Sequence, residues 1–597
     1  MLGRRSDQRG FFEADVQYLD VVGEDSFYGF LAGLRGELFR DADFADFYAE
    51  EGRGRPSRPP SMLATALLLQ TYDRASDQEA TERAAFDLRW KVALGITIEE
   101  RPFAKSTLQL FRAQLVVHEE GARIFARSLV LARERGFVPP RRQMRLALDT
   151  THILGRGAVK DTYNLLADGI ALVLRELARL AGSELAAYAA ARGMGRYVSE
   201  RSLKGEAELD WDDAEERARL LQGIVADADR LLDDVRAQRG RLDAGSPEDA
   251  RLQQAAERLG QVLLQDIERA DGGAQLRQGV APERMPSVHD PEMRHGRKSA
   301  QRRFDGHKAQ IAVDTESQLI TAVDVVAGNA PDNRGALELV EGSERDAAAA
   351  VSETVADCAY GDGATRQAFA DAGRELVAKV PVMRNGGCFP KTDFTIELEM
   401  ERCICPAERE GIACYRRPTA PGERRVLRGF RFRAADCDGC PLRPRCVRGK
   451  GARTLAVHPQ EALIQQARAL QASPDFAPYR RARQAVEHRL ARLVQLGIRQ
   501  ARYFGRAKTR FQLLMAAAVA NLTLLAGHAQ LSGGGDRPLG PSSTILSAIW
   551  LLIVAQSVIW RPQRPTLSAP AATAGGRARS STGLFAHAQM VACRPQP

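Results

Sequence analysis

Three carboxylates stand out among the acidic side chains because of the patterns that surround them. Asp149 follows an alternating apolar run in "RRQMRLALDTTHI", Asp357 follows the apolar run "TVADCAY", and Glu487 is the one acid among ten Lys or Arg residues between Arg480 and Gln512. Two strand-end aspartates with a helical glutamate packed across them can hold a pair of divalent ions, for which oxygen ligands suit Mg²⁺ or Mn²⁺. Two such ions clamp the attacking and leaving oxygens of a phosphodiester. Aspartates that merely form turns are the alternative interpretation.

The helix that would carry Glu487 offers two further side chains. Tyr479, Arg483 and Glu487 are spaced four residues apart, so a continuous helix would place them on one face. The functional hypothesis is that Arg483 and Tyr479 hold a phosphate beside the metal bound by Glu487. The alternative is an ordinary Arg483–Glu487 pair within the helix, which would contribute only a few tenths of a kcal/mol.

Seven of the nine cysteines fall between residues 388 and 446. Cys437, Cys440 and Cys446 have a spacing typical of zinc ligands, and Cys405, or alternatively Cys403, can supply a fourth thiolate. Such a set predicts a structural Zn²⁺ that is separate from the catalytic metals. Reduced cysteines without a metal are the alternative, and two more thiols, Cys388 and Cys414, leave the ligand set open.

Two basic segments are candidates for contact with DNA phosphates. "RHGRKSAQRRFDGHK", residues 294–308, contains six Lys or Arg and one acid, and "GRAKTR" follows Glu487. Clustered cations of this kind are what a polyanion attracts, although a solvated loop is the alternative. The candidate phosphate-binding residues from these segments are Arg302, Arg303, Lys308, Lys508 and Arg510.

The bulk composition of the 597-residue chain fits a soluble protein of two to four domains, with 44% hydrophobic and 27% charged residues. The net charge of +9 is small for this length, but it is clustered. The amino-terminal residues lack an apolar signal segment, so we expect a cytoplasmic protein. The apolar stretch Ile545–Trp560 is shorter than a spanning helix needs, so we expect a low-complexity tail and no membrane partner.

The hydrophobic period changes several times along the chain. Helical spacing dominates from about Ser26 to Pro139, with Ser76 and Glu79 placed as a capping box, and helical patterns return from about Lys160 to Arg284. Alternating patterns before Asp149 and in "HKAQIAVDTESQLITAVDVVAG" predict strands, the second a hairpin. Strands that alternate with helices predict an α/β core with insertions.

The order of these segments resembles the DDE transposases of bacterial insertion sequences, specifically the cut-and-paste group with a Tyr/Arg/Glu/Lys signature. The matching segments are "GRPSRPPSMLATALLLQTYDRASDQEATERAAFDLRWKVALG", "FAKSTLQLFRAQL", "LALDTTHI", "DPEMRHGRKSAQRRFDGHKAQIAVDTESQLITAVDVVAGNAPDN", "VADCAYGD", "CPLRPRC" and "VEHRLARL" with "GRAKTRFQLLMAAAVANL". The resemblance implies an RNase H-like catalytic core, with Asp149, Asp357 and Glu487 as its three acids and Arg483 as an aid to phosphate positioning. Val494 stands where the signature has lysine, and Arg492 is a candidate substitute.

With this resemblance, seven segments are expected along the chain. They are an all-α DNA-binding domain (1–140), the first core strand (141–159), an inserted helical domain (160–285), the continued core (286–400), a Cys-rich zinc insertion (401–450), core helices that carry the catalytic Glu (451–530), and a low-complexity tail (531–597).

The expected function is that of a nucleoid-associated bacterial transposase. It would bind the terminal inverted repeats of its element, cut and join DNA with two Mg²⁺ or Mn²⁺ ions, and act as a homodimer in the synaptic complex. The alternatives are a decayed or regulatory DNA-binding protein, and a metal-dependent nuclease without strand transfer.

Overall fold

Helices fill the amino-terminal part of the chain, as its apolar spacing predicts. The computed structural model describes residues 1–532 apart from 7, 49–54, 139–142, 271–272, 300 and 417–425, without the side chains of 529–532. Eight helices precede the first strand: α1 (Ala14–Gln17), α2 (Leu19–Val22), α3 (Phe27–Gly33), α4 (Pro60–Tyr72), α5 (Asp77–Phe86), α6 (Leu88–Leu94), α7 (Lys105–Val117) and α8 (Gly121–Glu134). The predicted capping box begins α5, where the Ser76 hydroxyl accepts from the Glu79 N–H and the Glu79 carboxylate accepts from the Ser76 N–H.

A long strand and a helical insertion follow. The elements are β1 (Met144–Leu154), α9 (Thr162–Leu180), α10 (Leu185–Ala191), α11 (Leu203–Glu206), α12 (Ala214–Arg239), α13 (Pro247–Asp266), β2 (Ile267–Ala270) and β3 (Gly273–Leu276). Apolar faces of α9, α12 and α13 meet in a hydrophobic core of their own, which includes Leu166, Ile224 and Leu259. The insertion therefore has a hydrophobic core separate from the one shared by the amino-terminal helices and the sheet.

The central sheet is completed by the next elements. They are β4 (Arg294–Arg297), β5 (Arg303–Asp314), β6 (Ile320–Ala327), α14 (Ala336–Ala347), β7 (Val351–Ala356), α15 (Gly363–Asp371) and β8 (Leu376–Ala378). β1 lies between β5 and β7, antiparallel to β5 and parallel to β7, and β8 continues the parallel side. β4 and β6 both pair with β5. The hairpin predicted around Asp314 is the β5–β6 turn, in which the Asp314 carboxylate accepts from the Ser317 N–H.

A small second sheet and five α-helices end the described chain. The elements are β9 (Thr395–Glu397), β10 (Arg402–Ile404), β11 (Glu410–Arg416), β12 (Val426–Arg431), α16 (Ala434–Asp438), β13 (Thr454–Ala456), α17 (Glu461–Ala472), α18 (Ala477–Ala482), α19 (Gln484–Gln495) and α20 (Arg506–Ser532). β9–β13 form one antiparallel sheet. The chain is thus a mixed α/β protein.

Helix α20 is the central support of the fold. It packs against α4, α8 and β6, and Asn521 both accepts from the Ile320 N–H and donates to the Ile320 carbonyl, each at 2.9 Å. By length and composition Arg506–His528 could span a membrane, yet 78% of its apolar window is buried within the fold. The amino-terminal helices, the sheet and α20 share one hydrophobic core. The predicted domain boundaries stay predictions.

Residues 533–597 lie outside the described part of the chain. The expectation of a low-complexity tail, and of a segment Ile545–Trp560 that does not span a membrane, therefore concerns residues beyond the structure described.

Candidate active site

The three carboxylates singled out in the sequence line one cleft of about 620 Å³. Asp149 lies on β1, Asp357 directly follows β7, and Glu487 lies on α19. β1 and β7 are neighbouring parallel strands whose pairing ends at Ala147 and Val355, so Asp149 and Asp357, each two residues further on, lie side by side. Helix α19 crosses β1 and β5 and buries Val486 and Leu493 against them, which leaves Glu487 exposed toward the cleft.

The prediction that Asp149 ends its strand is wrong. β1 continues for five residues beyond Asp149, because the antiparallel partner β5 pairs with it over nine residues, and Asp149 lies opposite Ile311. Asp149 is therefore held in the middle of a hydrogen-bonded strand. This position fixes its backbone more firmly than a strand end would.

A buried tyrosine that the sequence reasoning missed ties the two aspartates together. Tyr360 lies in the turn that follows Asp357, and its hydroxyl is 2.8 Å from the hydroxyl of Thr150, the neighbour of Asp149. Asp357 caps that turn by accepting from the Ala359 N–H at 2.8 Å. Burial raises the pKa of Tyr360 well above its usual range, so it stays a neutral hydrogen-bonding phenol.

Arg483 is the cation closest to the acids. Its Nη2 donates to Asp149 Oδ2 at 3.2 Å and lies 3.7 Å from Glu487 Oε1. The predicted Arg483–Glu487 pair is thus present, and it extends across to the sheet. One guanidinium bridges the carboxylate of β1 and that of α19.

Burial makes the charged form of Asp149 less favourable than it is in water, even with Arg483 beside it. Burial raises the pKa of Asp149 above its usual value, and nearby Asp357 and Glu487 raise it further, whereas the Thr150 N–H and Arg483 lower it. The carboxylate side chain is only 18% exposed. The cleft therefore contains a carboxylate whose charge is incompletely compensated, which favours binding of a cation.

Four basic side chains also line the cleft, namely Arg297, Lys298, Lys308 and Arg499. Lys308 donates to Asp332 Oδ1 at 2.7 Å, and Asp332 is a fourth acid of the cleft that the sequence reasoning missed. Its signal was available in "GNAPDN", where the polar turn follows β6. A cleft that mixes acids with cations can hold metal ions and a phosphate backbone at once.

The other predicted phosphate-binding residues lie elsewhere. Tyr479 does not line the cleft. It lies on α18, and the Arg145 guanidinium is 5.9 Å from the centre of its ring. Arg303 is placed on the opposite side of β5 from Phe304 and Lys308, as strand alternation requires. Arg302 is exposed on the β4–β5 turn, as is Lys508 on α20. Arg510 pairs with Asp324 at 3.2 Å.

Several arginines of the basic stretch around Glu487 have structural partners within the fold. Arg489 is buried and donates to the Ala520 carbonyl at 2.6 Å, and burial lowers its pKa to about 10, with Arg492 adding to the shift. Arg502 donates to the Ala75 carbonyl at 2.8 Å. These contacts fasten α19 and α20 into the fold.

The place of the signature lysine is taken by an apolar side chain, as the sequence indicates. Val494 lines the cleft, whereas Arg492 donates to Gln495 and does not line it. Arg499 reaches the cleft instead, donating to the Thr151 hydroxyl at 3.0 Å and to a ring nitrogen of His152 at 2.9 Å. Burial, together with Arg499 and Lys298, lowers the pKa of His152 to about 4, so its ring is neutral near pH 7.

The donor set suits hard divalent ions, since Asp149, Asp357 and Glu487 offer only oxygen. Within the described residues, however, no three His, Cys, Asp or Glu side chains are spaced to hold a metal ion as they stand. Arg483 lies between two of the acids. Binding of a divalent ion would therefore require the three carboxylates to move closer together and the Arg483 guanidinium to move aside.

The four predicted zinc ligands, Cys405, Cys437, Cys440 and Cys446, line a second and much smaller cavity. It lies at one end of the β9–β13 sheet, against Phe389 and Phe432. The structure thus separates the thiols from the carboxylates, as the sequence analysis expects.

Comparison with known families gives two matches. Residues 404–526 match the model described as Transposase DDE domain, and residues 19–114 match the model described as Transposase domain (DUF772). The first match includes Glu487 and the four cavity cysteines, whereas Asp149 and Asp357 lie outside both. Comparisons with curated proteins and with solved structures found no match. One transposase model thus matches the amino-terminal helices and another matches the Glu487-bearing region, and together they support a DDE-type transposase of an insertion element, an enzyme that acts on DNA.

Proposed function

We propose that this transposase binds the terminal inverted repeats of its element, cuts the DNA at each end and joins the freed 3′ ends to target DNA. Its active site is the cleft of Asp149, Asp357 and Glu487, within an RNase H-like core, and its cofactors are two Mg²⁺ or Mn²⁺ ions. The observation that carries the proposal is the convergence of these three acids, distant in sequence, on one cleft that also contains basic side chains.

The two chemical steps are displacements at phosphorus. In the first, a water oxygen bonds to phosphorus and the bond from phosphorus to the 3′ oxygen breaks, which leaves a 3′-hydroxyl on the element. In the second, that 3′ oxygen bonds to a target phosphorus and displaces a target 3′ oxygen. Divalent ions, when bound by the three acids, supply the positive charge that stabilises the attacking and leaving oxygens.

The chain's own residues would orient the DNA for both steps. Arg297, Lys298 and Arg499 lie on the walls of the cleft, where they can contact phosphates that flank the scissile one. Arg483 would leave Asp149 for a phosphate oxygen once cations neutralise the acids. The Tyr360–Thr150 hydrogen bond would hold the two aspartates in register throughout.

End recognition would fall to the amino-terminal helices. Helix α7 exposes Lys105, Ser106 and Gln109 on its solvent side while Leu108 and Phe111 are buried. Polar side chains on one face of a well-packed helix are what reading a DNA groove requires. Two chains would act together, since both ends of the element must be cut.

The test is a cleavage and joining assay with a labelled duplex that carries the element's inverted repeat and its flank, in Mg²⁺. The variants are Glu487→Gln and, as a matched control, His488→Gln, an exposed neighbour on α19 that does not line the cleft. We expect the native protein and the control to cut and join, and Glu487→Gln to bind without cutting. Equal cutting by Glu487→Gln would overturn the proposed site.

The remaining outcomes identify the alternatives. Cut ends that never join to target DNA would indicate a metal-dependent nuclease. Binding without cutting by the native protein would indicate a decayed or regulatory DNA-binding protein.

A further inference from the structure

The β9–β13 module is held together by very little apolar surface. Among the residues of the module that the structure describes, five side chains form the buried core, namely Phe394, Cys403, Phe430, Phe432 and Leu455. Residues 401–456 also contain fourteen Lys or Arg and six Asp or Glu, so like charges repel one another within the module. Small modules with so little core usually depend on a disulfide or a metal ion. None of the described cysteines forms a disulfide.

Two tight turns bring four thiols to one place. The turn after β10 is closed by bonds between Cys405 and Arg409 and from the Glu408 N–H to the Cys405 carbonyl, and the Cys440 N–H donates to the Cys437 carbonyl at 3.3 Å. The cavity between these turns measures about 30 Å³ and is lined by Cys405, Cys437, Cys440 and Cys446. A cavity of this size has room for one small ion.

The structure decides between Cys405 and Cys403 as the fourth thiol. Cys403 is fully buried in the aromatic core, on the strand β10 itself, and its side chain packs with Phe394, Phe430 and Phe432. Cys414 is exposed on β11, and Cys388 lies in a turn with Asn385. Cys388, Cys403 and Cys414 do not line the cavity.

The surroundings of the cavity match a centre of four thiolates. The Arg409 N–H donates to Cys405 Sγ at 3.3 Å, a contact that stabilises a sulfur ligand. Arg409, Arg443 and Arg453 line the cavity, and Arg453 Nε is buried without a hydrogen-bond partner. A divalent ion with four thiolates carries two net negative charges, which these guanidinium groups would compensate.

We infer that Cys405, Cys437, Cys440 and Cys446 bind a structural Zn²⁺ that holds the β9–β13 module together. As they stand, the described side chains do not include three thiols at ligand spacing. All four are half-buried on turns or a short helix, so rotation of the side chains closes them on the ion. Binding releases the thiol protons, because zinc binds thiolates. The inference concerns a site distinct from the carboxylate cleft and does not rest on the proposed function.

The test measures zinc in the full-length protein purified without chelators. We expect about one zinc per chain by elemental mass spectrometry in the native protein. The double variant Cys437→Ser/Cys440→Ser should lose it, whereas the matched controls Cys388→Ser and Cys414→Ser should keep it. Glu487→Gln should also keep it, which separates this site from the cleft. A native protein without zinc, or a double variant that retains it, would overturn the inference.

A second measurement uses only the native protein, so it tests the inference even if the double variant does not fold. The native protein reconstituted with Co²⁺ should show the intense visible bands of a tetrahedral thiolate complex, and weak bands typical of oxygen ligands would overturn the inference. Chelation of zinc should make the module, with its many Lys and Arg, the first site of trypsin cleavage. An unchanged cleavage pattern would contradict the stabilising role.

Discussion

The acids of the amino-terminal helices and the acids of the cleft lie in opposite electrostatic situations. Asp73 accepts from Tyr28, Arg83 and Trp90, which joins α3, α5 and α6. Although burial alone would raise the pKa of Asp77, hydrogen bonds from Arg112, Gln109 and Gln70 hold it well below its usual value.

Asp149 has one arginine and one backbone N–H for partners, and its pKa is raised. Acids with several hydrogen-bond partners, such as Asp73 and Asp77, therefore stabilise the fold, whereas Asp149, with fewer partners, is available to a cation.

The largest expected effect is on cleavage. Replacing Asp149 by Asn should lower DNA cutting by on the order of 10³-fold or more, because it removes a ligand that acts together with the other acids. Replacing Asp77 by Asn should leave the cutting rate of the folded protein unchanged. Rates of cutting measured on the labelled duplex at equal concentrations of folded protein would check both variants. Slow cutting by folded Asp77→Asn would contradict the claim that Asp77 has only a structural role.

The next effect is on stability. Arg112→Gln should destabilise α5 and α7 by about 3 kcal/mol, since it leaves Asp77 without a cationic partner in a site where the side chains of Arg112 and Asp77 are 9% and 17% exposed. Because the folded pKa of Asp77 is depressed, this stabilisation is present above about pH 4, the usual unfolded pKa, and is lost as pH falls further.

Hydrogen exchange of α5 and α7 at pH 7 and near pH 3 would measure this loss. The control is Arg89→Gln, which breaks a pair whose arginine is 52% exposed and should cost under about 1 kcal/mol. Equal losses in the two variants would contradict the distinction between buried and exposed pairs.

A smaller effect is expected at Arg483. Arg483→Gln should reduce cutting by about 10²-fold without abolishing it, because it removes a phosphate contact and leaves the metal ligands in place. Cutting would be measured over a range of Mg²⁺ concentrations. A loss as large as that of Asp149→Asn would show that Arg483 is as essential as the acids.

The smallest effect is a gain in stability. In metal-free buffer at pH 7, Asp149→Asn should stabilise the protein by about 0.5–1 kcal/mol, because the ionised carboxylate is disfavoured in the folded state. The gain should vanish on acidification, as native Asp149 becomes protonated, and Mg²⁺ should stabilise only the native protein. Melting curves with and without Mg²⁺ would detect this, and a destabilised variant would contradict it.

Local patterns predicted the parts of the site that depend on local structure. The apolar run before Asp357 is β7, the hairpin is β5–β6, and the lone Glu487 lies on a helix whose apolar side faces the sheet. These features need only strand alternation and helical spacing. The same holds for the capping box of α5.

Tertiary packing decided what the sequence reasoning missed. Tyr479 lies beside Arg145 and not in the cleft, and pairing with β5 extends β1 past Asp149. Arg489 is buried and its guanidinium donates to a carbonyl of α20, a contact that the residue pattern of α19 does not predict. Tyr360 is brought close to Thr150, and Asp332 to the cleft, only by the arrangement of the sheet strands, which the local sequence does not reveal.

The most direct test of the claim that the cleft acids hold metal is a change of ligand softness at Asp357. The variant Asp357→Cys offers a thiolate, which Mg²⁺ disfavours and softer Mn²⁺ tolerates better, and Asp357→Ser is the control. We predict that cutting by Asp357→Cys is lost in Mg²⁺ and partly restored in Mn²⁺, while Asp357→Ser is restored by neither ion. Cutting by Asp357→Cys in Mg²⁺ at the native rate would contradict a metal at this carboxylate.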